Sequence, residues 1–182
     1  MTVSMKEVLL GKIRERTACV GVVGLGYVGL PLAVEFAKAG FRVIGYDLNE
    51  RVVADLNDGV SHIQDVPDED VASAVEANKL EATTEEHRLS EMDVVLIAVP
   101  TPLSKTRDPD MTFVLASSDA IARNCHPGML VVLESTTYPG TTRELMQPKL
   151  ESNGLVVGED IFLAFSPERV DPGNKVDRKR VV

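Results

Sequence analysis

Residues 18–47 read ACVGVVGLGYVGLPLAVEFAKAGFRVIGYD, and this stretch decides the fold. Ala18 to Val23 is a continuous apolar run that ends in glycine, which predicts a strand buried on both faces. Gly24-Leu25-Gly26-Tyr27-Val28-Gly29 follows. Apolar residues then recur at helical spacing from Leu30 to Ala39 and stop at Gly40, a C-terminal stop signal. Pro31 falls in the first helical turn, where its missing N–H does no harm. Phe41 to Tyr46 predicts a second strand, ending at Asp47.

A GxGxxG pattern alone is a weak signal, but strand, turn, helix and acid arrive here in the order a dinucleotide site requires. Gly24 makes the tight turn, Gly26 lets the backbone approach a pyrophosphate, and Gly29 allows the helix to pack closely on the strand. The pyrophosphate is expected at the helix N-terminus, on the N–H groups of Tyr27 and Val28. A carboxylate at Asp47 accepts the hydroxyls of the adenine ribose and repels a 2′-phosphate, which favours NAD over NADP. Arg51 stands against that preference, since an arginine nearby can accommodate the phosphate, and it joins the candidate cofactor residues.

The rest of the chain repeats the alternation. Met5 to Arg16 reads as a short amphipathic helix, giving residues 1–17 as an N-terminal helical extension. Asn49 caps a helix through about Asn57, Val60 to Asp65 is loop, Glu69 to Asn78 a helix and Leu80 to Thr83 a short strand. Val94 to Val99 is the strongest strand, followed by Pro100-Thr101-Pro102 and a polar loop. Thr112 to Arg123 is helical, Met129 to Leu133 a strand, Pro139 to Ser152 helical and Ile161 to Ala164 a last strand. Connections this long cannot be hairpins. The expected fold is therefore α/β, a Rossmann-type doubly wound, mainly parallel sheet with helices on both faces. It spans residues 18–174, with 175–182 leading into a further segment.

Composition excludes other classes. The 182 residues suit one domain with a full core, 44% apolar and 26% charged. A net charge of −9 argues against nucleic acid, while local backbone donors can still bind a small anion. Cys19 and Cys125 have no metal-ligand spacing and read as two reduced thiols, so no metal is expected. No apolar run approaches a membrane span and the N-terminus lacks a signal-peptide pattern, so a soluble cytoplasmic protein is expected.

Unusual polar residues collect at the predicted strand ends: the glycine turn, Asp47, Thr101, Thr136 and Glu168. On an open parallel sheet these ends border one crevice. Each residue alone has a plainer reading, Thr101 as a turn former, Ser135 to Thr137 as a helix cap and Glu168 as a solvated loop charge. The shared placement favours a site.

With those residues in view, the chain resembles the UDP-glucose and UDP-N-acetylhexosamine 6-dehydrogenases. The stretches that carry the likeness are VGVVGLGYVGLPLAVEFAKAGFRVIGYD, IAVPTPLSKTRDPDMTFV, VVLESTTYPGTTRE and FLAFSPERVDPGN, spread from Val20 to Asn174. ESTTYPGTT and SPERVDPGN look most like the branch that oxidises UDP-N-acetylglucosamine, with the N-acetylmannosamine branch close and the glucose branch third. The resemblance implies oxidation of a C6 alcohol to a carboxylate with two NAD. It implies that Thr101 and Thr136 contact NAD, and that Thr136 also helps position a water. Glu168 would serve in acid–base steps, and Arg169 and Val170 would contact the UDP-sugar together with Glu168.

The family's nucleophilic cysteine lies in a later segment, and neither Cys19 nor Cys125 stands in for it. The expectation is therefore the N-terminal part of a longer protein, inactive alone, whose parent forms a homo-oligomer through segments absent here. Two other readings remain open: a hydroxyacid or 6-phosphogluconate type of dehydrogenase, which leaves STTYPGTT and SPERVDPGN unexplained, and a non-catalytic NAD-binding module.

Overall fold

The computed structural model describes residues 4–102 and 109–167. Six strands form one sheet: β1 (Cys19–Val23), β2 (Arg42–Tyr46), β3 (Leu80–Thr83), β4 (Val94–Ile97), β5 (Leu130–Leu133) and β6 (Phe162–Phe165). Their order is β3-β2-β1-β4-β5-β6, and every pairing is parallel. All six carboxyl ends therefore lie on one edge, and the order reverses between β1 and β4. That reversal is where an open α/β sheet leaves a crevice.

Strand alternation divides the core in two. Val94 and Leu96 of β4 face one cluster, Val95 and Ile97 the other. The first cluster is closed by α2 (Gly29–Lys38), α3 (Glu50–Asn57) and α4 (Asp68–Glu76), through residues such as Leu30, Leu56 and Val71. The second is closed by α5 (Thr112–Asn124) and the short α6 (Gln147–Leu150), through Val114, Ile121 and Leu150. Each fully buried leucine contributes about 2 kcal/mol of apolar burial.

The N-terminal helix α1 (Met5–Glu15) forms as expected, with a Ser4/Glu7 capping box. It docks through buried Leu9 and through Lys12, whose Nζ lies 2.6 Å from Asp93 Oδ1. The other oxygen of Asp93 accepts from the N–H of Cys19, so one carboxylate fixes both α1 and the start of β1.

One expectation needs correction, and one element was not expected. The helix read over Pro139 to Ser152 is not continuous. It divides into a wide π-helical turn over Thr141–Met146, the four residues of α6, and a 3-10 turn over Glu151–Asn153. The hydroxyl of Thr141 donates to Tyr138 O and pairs with Thr137, competing with helical bonding, and Pro148 lacks the N–H a regular helix would use. The unexpected element is a 3-10 turn over Glu86–Glu91 between β3 and β4. Its residues are polar apart from Leu89, too few for a periodic pattern.

At the outer edge of β3, the Asn57 side-chain amide donates to Ala82 O at 2.9 Å and accepts from Ala82 N–H at 2.8 Å. The amide takes the place of a neighbouring strand at that residue.

The closest constraint lies between the first strand and its helix. A Cβ added at Gly29 would stand 1.8 Å from the carbonyl oxygen of Gly24. Gly29→Ala is expected to lower stability by about 3 kcal/mol. Gly11→Ala is the matched control: nothing lies within 4 Å of its added Cβ in mid-helix, so it is expected to stabilise by about 0.5–1 kcal/mol. Urea denaturation of both variants measures the contrast, and equal effects would show that the Gly24–Gly29 approach can relax.

Candidate functional site

The three glycines of the turn differ in what holds them. Gly24 sits at φ +88°, a left-handed conformation, and its N–H donates to Tyr46 O at 2.9 Å. Gly29 is fixed by the close approach to Gly24 O. Gly26 answers to neither need. It is exposed on the cleft, and nothing lies within 4 Å of the Cβ it lacks. Internal packing does not require glycine there, whereas a ligand closing on the backbone does.

α2 starts just beyond. Val28 is its N-cap, no side chain caps it and no acid stands in its first turn. Among the described residues, none accepts from the N–H groups of Gly26, Tyr27 or Val28. An uncapped helix start with free donors and partial positive charge fits an anionic group such as a pyrophosphate.

Asp47 is half-buried at the end of β2. Its Oδ2 accepts from Leu25 N–H at 2.8 Å and its Oδ1 from Asn49 N–H at 3.0 Å. The carboxylate thus ties the glycine turn to the turn that enters α3. A carboxylate offers about four lone-pair sites, and two are used, so capacity remains for a pair of hydroxyls. Asn49 caps α3 as expected, accepting from Arg51 and Val52 N–H.

Gly24, Gly26 and Asp47 line one cleft of about 530 Å³, which continues over Pro100 and along α5. Thr101 is half-buried directly after Pro100. Thr136 is exposed at the end of β5, outside the lining of this cleft. Arg51 is not brought in. Its side chain is 90% exposed and lies back along α3, with Nε 3.7 Å from Asp55. Glu168, Arg169 and Val170 lie outside the described residues. Ser166, just after β6, donates its N–H to Leu133 O at the end of β5.

Two features escaped the sequence reading. Ser135 is buried rather than capping a helix. Its hydroxyl donates to Val99 O at 2.6 Å and so joins the ends of β4 and β5. Glu86 and Arg123 form a bidentate pair at 2.8 Å and 2.8 Å beside the cleft, 37 residues apart in the chain. The Arg123 guanidinium holds the Glu86 carboxyl below the ordinary glutamate range, with a smaller contribution from Asn124. No motif marks either residue; Arg123 falls on one stripe of α5 with Phe113, Ala116 and Ala120, which line the cleft.

Comparison with known proteins now adds to this geometry. Residues 18–180 match the NAD-binding domain of the UDP-glucose/GDP-mannose dehydrogenase family. The chain belongs to this family. It is 42% identical over 160 residues to a UDP-N-acetyl-D-glucosamine 6-dehydrogenase from Pseudomonas aeruginosa, covering 87% of this chain and 37% of that protein. It is 38% identical over 155 residues to a UDP-N-acetyl-D-mannosamine dehydrogenase from Pyrococcus horikoshii, covering 85% and 37%. Among solved structures it is similar to an NDP-N-acetyl-D-galactosaminuronic acid dehydrogenase from Methanosarcina mazei Go1, with TM-score 0.81 and 38% identity over 93% of this chain and 38% of that one. The chain thus spans just over a third of the length of the relatives it matches. As the NAD-binding domain of an NAD-dependent nucleotide-sugar dehydrogenase family, it has NAD as its cofactor. Among the described residues, no helix is long and apolar enough to cross a membrane.

The Glu86 pair yields a pH prediction. Because the folded-state pKa of Glu86 is depressed, its stabilisation is complete above the unfolded value of about 4.3 and fades as pH falls through the lower folded value. The melting temperature of Glu86→Gln is expected to lie below wild type at pH 7 and to converge with it as pH falls through the depressed folded value. A gap that persists unchanged at acid pH would contradict this.

Proposed function

We propose that the cleft holds NAD with its pyrophosphate on the N–H groups of Gly26, Tyr27 and Val28 and its adenine ribose on Asp47. The observation that carries this is Gly26, an exposed glycine that packing does not demand, beside three backbone donors without internal acceptors. The acid that would receive the ribose is already aimed at the same turn through Leu25. When bound, NAD supplies the two-electron oxidant. Thr101, after β4, and Thr136, after β5, extend the contact toward the nicotinamide end. Asp47 faces the ribose and Arg51 is turned to Asp55, which together favour NAD over NADP.

We further propose that a longer protein carrying this domain oxidises the C6 alcohol of a UDP-N-acetylhexosamine to a carboxylate, UDP-N-acetylglucosamine first. ESTTYPGTT and SPERVDPGN support that branch. Glu168 takes and returns protons in the hydrolytic step, Thr136 helps position its water, and Glu168, Arg169 and Val170 contact the sugar nucleotide. The parent is a homo-oligomer assembled through its other segments.

The 182-residue chain by itself binds NAD without turnover. Its two cysteines stand at the opposite edge of the sheet from the cleft, Cys19 opening β1 and Cys125 in the turn before β5. Burial pushes the Cys19 thiol up to about 11 and raises that of Cys125 as well, the reverse of what a nucleophilic thiolate needs.

Calorimetric titration tests the cofactor reading. Asp47→Ala is expected to weaken NAD by roughly 10- to 100-fold, the loss of charged hydrogen bonds to the ribose, and to narrow the preference of the wild type for NAD over NADP. An unchanged NAD affinity would place the ribose elsewhere. For the substrate, a full-length protein carrying this domain is to be assayed on UDP-N-acetylglucosamine, UDP-N-acetylmannosamine and UDP-glucose. The expected order of kcat/KM is the order given. A preference for UDP-glucose would overturn the proposed branch, and oxidation of a hydroxyacid without any of the three would overturn the class.

A further inference from the structure

The far end of the cleft carries a group that the NAD site has not yet used. The sheet order runs β1, β2, β3. Along that edge stand, in turn, the glycine turn, Asp47, and Glu86 three residues past β3. A ribose held by Asp47 has its pyrophosphate on the β1 side, so its base extends toward β3 and Glu86. The other wall of this end is α5, which lines the cleft with Phe113, Ala116, Ala120 and Arg123. These positions are three and four apart, one stripe of a helix, and cover about 15 Å of its length.

The arginine is held by its edge. Its Nε donates to Glu86 Oε1 and its Nη2 to Glu86 Oε2, each at 2.8 Å. Asn124 steadies the same carboxylate, its Nδ2 reaching Glu86 Oε1 at 3.1 Å and Ala120 O at 2.9 Å. A guanidinium engaged in its own plane in this way has its flat faces left for contact. Those faces are weakly hydrated and cationic, and they stack on aromatic rings. Arg123 remains 60% exposed, so it has room for a partner. Ala116 and Ala120, both small, line the slot that runs along this stripe of α5 toward Arg123. Leu48, 76% exposed, lines the same cleft from the β2–α3 turn and offers an apolar surface for a base.

We propose that the Arg123 guanidinium, clamped by Glu86, is the platform on which the adenine of NAD stacks. The inference rests on the NAD reading above and adds to it a residue on α5 that no glycine-turn motif contains. It makes adenine recognition depend on the plane of the side chain and less on its charge.

Titration of the 182-residue chain with ADP-ribose and with NAD tests this. Arg123→Lys keeps the charge and removes the plane. It is expected to weaken ADP-ribose by about 3- to 30-fold. Arg123→Trp removes the charge and keeps a flat face, and is expected to stay within about threefold of wild type. Ala116→Phe fills the slot from an exposed position without touching the ion pair, and is expected to weaken ADP-ribose by a similar factor to Arg123→Lys. Melting curves accompany each variant. If the pair only fastens α5 to the turn after β3, Arg123→Lys lowers the melting temperature while affinity holds, which overturns the proposal. Equal loss in the lysine and tryptophan variants overturns it too. Asp47→Ala separates the two levels: if it weakens NAD while Arg123→Lys does not, stacking alone fails. If wild type binds neither ligand, the cofactor site fails and the stacking proposal with it.

Discussion

The rest of the structure depends on the approach of one backbone to another where β1 turns into α2. The space between Gly24 O and the position of a Gly29 Cβ is 1.8 Å, less than any side chain can occupy. This contact seats the start of α2 directly over the end of the central strand. Because β1 lies beside both β2 and β4, the helix start also stands at the point where strand order reverses. A bulkier residue would have to push α2 away from the sheet, and the donors at its start would leave the cleft with it.

From that contact the site is assembled by hydrogen bonds between strand ends, some backbone to backbone and some through a single side chain. Gly24 N–H is taken by Tyr46 O, Leu25 N–H by Asp47, Asp47 N–H by Thr83 O, and the Ser135 hydroxyl by Val99 O. Neighbouring loops are thereby locked in register across β3, β2, β1, β4 and β5. The balance explains how a chain of net charge −9 accommodates a dinucleotide carrying phosphates. In the proposed site the attraction would be local, from aligned N–H groups, while the acid Glu86 is already held by Arg123.

Much of this was legible in the sequence because short-range patterns fix it. Apolar runs located most of the strands, and the order of strand, glycine turn, helix, strand and acid from Ala18 to Asp47 is the order the structure holds. The double role of Asp47 was not legible, since the Leu25 N–H it accepts becomes its neighbour only once β1 and β2 pair. The pair Glu86–Arg123 was hidden for the same reason: neither residue belongs to a motif, and the turn that carries Glu86 is too short to show periodicity. Over Pro139 to Ser152 the composition suggested a helix, and hydroxyl groups together with Pro148 divided it. Ser135, for which the sequence offered a helix cap as the plainer reading, is a rivet between strands, because a hydroxyl in a strand-end turn has several carbonyls within reach and sequence does not rank them.

The Asn57 amide at the edge of β3 bears on how this sheet meets other sheets. An open sheet has two free rims, and copies that join rim to rim in a head-to-tail sense can go on adding without limit. Here one rim already has its Ala82 groups filled by a side chain of the same molecule. A strand of another molecule therefore finds the Ala82 donor and acceptor already taken. A single asparagine thus makes this rim a poorer template for the addition of a further strand.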